Sequence, residues 1–123
     1  MQLIKRGCLI AVLSLIISTL NIPAYSETWE KTYGGGGTDQ GRSVQQTTDG
    51  GYIIAGWTNS IGAGNYDVYI IKTDNIGNQV WAKAFGGIGS DMAHKIKQTS
   101  DGGYIIVGET ESFGTGKEIP QGN

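Results

Sequence analysis

The stretch Thr48-Asp49-Gly50-Gly51-Tyr52-Ile53-Ile54-Ala55-Gly56 decides the fold, because the chain writes it again as Ser100-Asp101-Gly102-Gly103-Tyr104-Ile105-Ile106-Val107-Gly108. The offset is 101 − 49, or 52 residues, and it also carries Trp29 to Trp81, Gly34-Gly35 to Gly86-Gly87 and Asp39 to Asp91. Aligned without a gap, residues 29–64 and 81–116 share 19 identities in 36 positions. Self-similarity at a period of about fifty residues marks architectures in which one supersecondary unit is stacked on the next.

Within one period the residues read as strands. Val44-Gln45-Gln46-Thr47, Tyr52 to Trp57, Asp67 to Thr73 and Val80 to Phe85 are short, rich in β-branched and aromatic side chains, and bounded by turn residues. Asp49-Gly50-Gly51 predicts a tight hairpin, since glycine accepts the positive φ that such turns require. Asn75-Ile76-Gly77-Asn78 predicts another, and Ser60 to Asn65 a longer connection. No segment after residue 26 keeps a helical period over three turns, so the expected class is all-β.

The pattern inside the strands adds the architecture. Tyr52-Ile53-Ile54-Ala55 and Val68-Tyr69-Ile70-Ile71 are apolar at every position rather than at alternate ones. Alternation would mean one wet face, whereas a continuous run means that both faces are covered. A four-stranded antiparallel sheet sandwiched between copies of itself is a propeller blade. The expectation is one complete blade at 42–86. Residues 29–41 would supply the last strand of a preceding blade and a connecting loop, and 87–116 the first half of the next. That makes an incomplete propeller of 1.5 to 2 blades, followed by a divergent tail at 117–123. In that tail Pro120 occupies a place inside the expected third strand, where it would remove a ladder hydrogen bond. The reading is therefore of a truncated piece of a larger repeat protein.

The first 26 residues read as a secretory signal peptide. Lys5 and Arg6 precede an apolar run from Gly7 to Leu20, and Pro23 then leads into Ala24-Tyr25-Ser26, with small residues suited to a cut after Ser26. The run is shorter than the ~20 residues needed to cross a bilayer, which argues against a retained anchor. Cys8, the single cysteine, lies before the apolar run rather than at the cut, which argues against lipidation. The remaining part carries 7 Lys+Arg against 11 Asp+Glu, a net charge of −4 without basic clusters. Nucleic acid and anionic membrane are thus poor partners for it. Without cysteine and with His94 alone, it offers no zinc ligand set and no thiol nucleophile.

Several motifs carry chemistry elsewhere. Gly34-Gly35-Gly36-Gly37-Thr38-Asp39 and Gly86-Gly87-Ile88-Gly89-Ser90-Asp91 both fit Gly-Gly-x-Gly-x-Asp, the opening of a calcium-binding β-roll nonapeptide. Calcium there needs ligands from successive nine-residue turns, and these copies are separated by whole strands. The expected role of Asp39 and Asp91 is to bond backbone amides of a local turn. Asp74-Asn75-Ile76-Gly77-Asn78 lacks the alternating carboxylates of a calcium loop and reads as a capped turn. Gly77 followed by Trp81 also fits the tryptophan-docking repeat of pyrroloquinoline-quinone propellers, but that cofactor needs a complete ring and a central calcium. The tryptophans read as packing between blades, and no cofactor or metal is expected. Ser43, Ser60, Ser90, Ser100 and Ser112 fall in turns or at strand edges with no base in view. Asp39, Asp49, Asp67, Asp74, Asp91 and Asp101 do likewise.

Taken together, Trp-x-Lys-x-aromatic-Gly-Gly-x-Gly-x-Asp, Gln-Thr-x-Asp-Gly-Gly-Tyr-Ile-Ile-x-Gly and Tyr66-Asp67-Val68-Tyr69-Ile70-Ile71-Lys72-Thr73-Asp74 followed by Gly77-Asn78 resemble the secreted bacterial and archaeal β-propeller repeats of SBBP type. The resemblance spans residues 29–116 and implies a repeat of large exported or surface proteins, generally without an assigned activity. Family members carry many tandem copies, whereas this chain has fewer than two. The functional expectation is a non-catalytic secreted or cell-surface module for protein or glycan interaction. Further blades or self-association would cover its exposed faces. The alternatives are a fragment of a propeller-based carbohydrate-active enzyme, which clustered carboxylates, a histidine or a tyrosine on the same loop of several blades would favour, and a fragment with no independent function.

Overall fold

The computed structural model describes residues 1–5 and 28–113. The expected cut after Ser26 and the tail 117–123 lie outside them. The described chain is all-β and contains no helix. Its strands are β1 (Gln2–Lys5), β2 (Trp29–Thr32), β3 (Asp39–Gln46), β4 (Tyr52–Thr58), β5 (Asp67–Thr73), β6 (Gln79–Phe85), β7 (Asp91–Gln98) and β8 (Tyr104–Thr110). They form three antiparallel sheets, ordered β1-β2, β3-β4-β5-β6 and β7-β8.

Local chemistry makes the hairpins of the middle sheet. Gly50 takes φ +84°, and the turn closes through Gly50 N–H to Thr47 O and Thr47 N–H to Gly51 O, each 2.9 Å. Asp74 caps the next hairpin: its carboxylate accepts the Ile76 and Asn78 N–H groups at 3.0 and 2.8 Å. Both turns stand where the sequence predicts them. The first strand does not. It begins at Asp39 rather than Val44, so residues 39–41 belong to the sheet and not to a connecting loop. Gly41 faces Gly56 across the ladder, and a Cβ on Gly56 would overlap the Gln40 carbonyl. Two glycines facing each other allow a close backbone approach that no strand propensity announces.

A β-bulge then skips Arg42 between Gly41 and Ser43. The same bulge skips His94 between Ala93 and Lys95. The whole β7–β8 register is that of β3–β4 moved by 52 residues, with Gln46↔Tyr52 recurring as Gln98↔Tyr104. The N-terminal residues pair as well: Leu3, Ile4 and Lys5 face Lys31, Glu30 and Trp29. Lys5, expected at the positive end of a leader, thus lies in a strand beside β2.

The inner strands β4 and β5 of the middle sheet are covered on both sides. One face packs Ile53, Ala55 and Ile70 against Ala93 and Ile96 of β7. The other packs Ile54, Tyr69 and Ile71 against Tyr33, with Met1 and Leu3 at its border. Adjacent residues therefore enter opposite cores, which is why the runs in β4 and β5 are apolar throughout. At the two sheet-to-sheet joints an aromatic pair recurs at the same offset: Trp29 meets Tyr52 and Trp81 meets Tyr104, edge-on at 5.7 and 6.2 Å. Burial of this apolar area contributes on the order of 25 cal/mol per Å².

Candidate functional site

The chemically dense part of the molecule is the end of the sheets where the glycine-rich loops enter β3 and β7. Asp39 opens β3 and its carboxylate gathers the loop back to the strand. It accepts Gly35 N–H at 2.9 Å, the Ser60 hydroxyl at 2.9 Å, and the Thr58 hydroxyl. Asp91 opens β7 and does the same with Gly87 N–H at 2.9 Å and the Ser112 and Thr110 hydroxyls. The expectation that each bonds local backbone amides holds. The hydroxyl partners were not foreseen, because Thr58, Ser60, Thr110 and Ser112 lie across the hairpin from their carboxylates.

Burial alone would raise both carboxyls, but the bonds outweigh it. The Thr58 hydroxyl, Gly35 N–H and Ser60 hydroxyl hold Asp39 below the usual carboxylate value, and the Ser112 and Thr110 hydroxyls with Gly87 N–H do so for Asp91. A carboxylate so stabilised is a weak base. It accepts a hydrogen bond from the Ser60 or Ser112 hydroxyl.

Asp67 is the residue whose role sequence could not supply. It starts β5, is 1% exposed, and lies against the 2% exposed Asp91. A Cβ on Gly86 would strike Asp67 Oδ1 and come within 2.7 Å of Asp91 Oδ2, so both carboxylates rest on that glycine. Asp67 Oδ2 accepts Gly64 N–H at 3.1 Å, while Oδ1 is buried without a hydrogen-bond donor. The Asp91 N–H donates to Tyr66 O at 2.8 Å and brings the two together. Two carboxylates thus adjoin Gly86, both almost wholly buried.

Beside them a groove of about 460 Å³ runs between the middle sheet and β7–β8, lined by Val68, Phe85, Ile106, Val107 and Phe113 together with Asp91. A second cleft of about 480 Å³ lies along Tyr33, Gly34, Gly35 and Asp39. Compared with known proteins, the chain matches no family model, no curated protein and no solved structure.

The other residues singled out in the sequence are spread apart. Asp49 is held well below the usual value by the Thr47 hydroxyl, the Lys72 ammonium and Gly51 N–H. Asp101 is lowered by the Thr99 hydroxyl and Gly103 N–H. His94 stands exposed on its bulge, 3.5 Å from the Glu109 carboxylate. Among the described residues no three carboxylate or imidazole groups gather as metal ligands, and no helix is long and apolar enough to cross a membrane. The carboxylate–hydroxyl clasps fix the glycine-rich loops against the ends of the strands.

Proposed function

We propose that the chain is a non-catalytic repeat module of β-propeller type, exported or displayed at the cell surface, that presents rigid loops to a protein or glycan partner. One observation carries the reading: the inner strands β4 and β5 of a four-stranded sheet are buried on both faces, while the β3–β4 pairing and bulge recur in β7–β8, and the Trp–Tyr joint recurs, at an offset of 52 residues. Repeats of this kind stack, and their loops gather at one end as a binding surface. The SBBP-type resemblance of residues 29–116 supports the same reading, and the leader-like residues 1–26 support export.

The enzyme alternative draws on the Asp67–Asp91 pair. Glycoside hydrolysis requires two carboxyl groups that flank a sugar, and these are 1% and 2% exposed. Binding is the reading they favour. Its test is a glycan and protein-ligand panel run together with hydrolysis and lyase assays on the same preparation. Saturable binding without turnover is expected. Turnover that disappears in Asp91→Asn while the fold persists would overturn the proposal.

A further inference from the structure

The middle sheet shows which edges of the outer sheets lack a neighbour that their counterparts have. β4 pairs with β5 along Ile53↔Lys72, Ile54↔Ile71 and Ala55↔Ile70. Its counterpart β8, 52 residues on, pairs only with β7 among the described residues. Where Ile53, Ile54 and Ala55 are 0%, 3% and 0% exposed, Ile105, Ile106 and Val107 are 63%, 39% and 61% exposed. A row of apolar side chains on a bare strand edge is a template for another strand.

The strand of matching chemistry is β1. Leu3, Ile4 and Lys5 face Lys31, Glu30 and Trp29, as Ile70, Ile71 and Lys72 face Lys83, Ala82 and Trp81. With β2 moved by 52 residues onto β6 the ladder positions match, and Leu3-Ile4-Lys5 stands in the place of Ile70-Ile71-Lys72, although β1 itself lies outside the 52-residue period. Here too the outer edge is bare among the described residues: Ile4 is 45% exposed, while Ile71 is 0% exposed. The chain thus carries the first two strands of a sheet in β7–β8 and a third and fourth in β1–β2.

Charge fits as well. In the middle sheet Lys72 Nζ reaches Asp49 Oδ2 at 2.9 Å. Asp101, the counterpart of Asp49, holds the Thr99 hydroxyl and Gly103 N–H but no cation. Lys5, the counterpart of Lys72, has no carboxylate partner among the described residues. Steric fit agrees. A Cβ on Gly51 would overlap the Thr73 carbonyl and crowd Lys72 Nζ, yet at Gly103 it would meet only Thr99 and Asp101 side chains, at 3.1 and 3.2 Å. The glycine stands ready for a third strand that its own sheet does not supply.

We propose that a second copy of the uncut chain lays its Met1–Lys5 strand antiparallel along the outer edge of β8, completing a sheet ordered β7-β8-β1-β2 across two molecules. The register sets Ile106 against Ile4 of the second copy, Val107 against Leu3, and Asp101 beside Lys5. The contact is head-to-tail, so each copy both donates and accepts, and the assembly continues into a ring or a filament. It rests on the reading of the sheets as repeats of one blade. The cut after Ser26 removes the donor strand, so the contact belongs to the precursor and processing dissolves it.

The test uses full-length chains in mild detergent, with Cys8→Ala as background. Ile4→Cys copies are mixed with Ile106→Cys copies under mild oxidation and read on a non-reducing gel. A mixed disulfide dimer is expected at least about tenfold faster than with Val107→Cys, whose side chain leaves the opposite face of the strand. Asp101→Lys should abolish assembly in sedimentation, and mixing with Lys5→Asp copies should restore it. An intrachain disulfide between Lys97→Cys and Ile105→Cys, paired in β7–β8, serves as control. If the control forms and the mixed dimer shows no register preference, the inference is overturned and the blade reading stands. If the control fails, both fall.

Discussion

A methyl group at Gly51 has nowhere to go, since the Thr73 carbonyl and Lys72 ammonium occupy its place, whereas Gly103 has only movable side chains nearby. Gly51→Ala is expected to cost about 1–3 kcal/mol through overpacking and Gly103→Ala no more than about 0.5 kcal/mol, measured by urea unfolding. At Asp67 the prediction runs the other way. Asp67→Asn keeps an oxygen for Gly64 N–H and turns an amide N–H₂ toward Asp91, so a gain of about 1 kcal/mol is expected. Asp91→Asn, by contrast, weakens bonds from two hydroxyls and an amide and should cost about 1–3 kcal/mol. Solution pH acts on the same groups. Asp39, Asp49, Asp74, Asp91 and Asp101 are all lowered from 3.8, so the unfolded chain takes up protons first. Their contribution is present above that value and lost as pH falls through and below it. Urea midpoints should hold between about pH 5 and 7 and drop below about pH 4, less steeply in an Asp39→Asn/Asp91→Asn double variant. Sequence reading reached Asp49 and Asp74 because their partners are two to four residues away. It missed Asp67 with Asp91 because a long-range backbone bond brings them together.

Strands separate the members of each repeated pair by environment rather than by sequence. Ile53 and Ile105 hold equivalent places in β4 and β8, yet one is 0% and the other 63% exposed. Ile53→Ala should therefore cost about 2–5 kcal/mol, and Ile105→Ala less than about 1 kcal/mol, in the same denaturant assay on dilute, unassembled chains. A difference of less than about 1 kcal/mol between them would mean that β8 is covered in solution. The continuous apolar runs in β4 and β5 revealed the two-faced burial because both strands are interior to their sheet. The start of β3 was illegible, since Asp39, Gln40 and Gly41 have no strand propensity and owe their extension to pairing with Gly56, Trp57 and Thr58. The bulges at Arg42 and His94 were hidden for a related reason. An exposed polar residue reads alike inside and outside a ladder, and only the partner strand shows that it has been skipped.

Across the molecule, three sheets are held by two thin apolar layers and a tryptophan at each joint. The all-β class, the hairpin-linked strands and a last repeat ending after two strands were legible because each hairpin is local, but the pairing of β1 with β2 was not, because those strands lie far apart in the chain. The Trp29 joint also buries an indole N–H with no acceptor. Trp29→Phe removes that orphan while keeping a ring for Tyr52, and should change stability by less than about 1 kcal/mol, where Trp29→Ala should cost roughly 3 kcal/mol. The edge-on tryptophan–tyrosine contacts have an optical consequence. An indole shielded from water emits toward the blue and shifts red when wetted, and its asymmetric coupling to a neighbouring phenol gives a signal in near-ultraviolet circular dichroism. Trp29 reports on one joint and Trp81 on the other, so chains that keep only one of them, with Trp57 also replaced because it sits edge-on to Tyr66, would show the plates of the stack sliding apart while backbone signals still report intact strands.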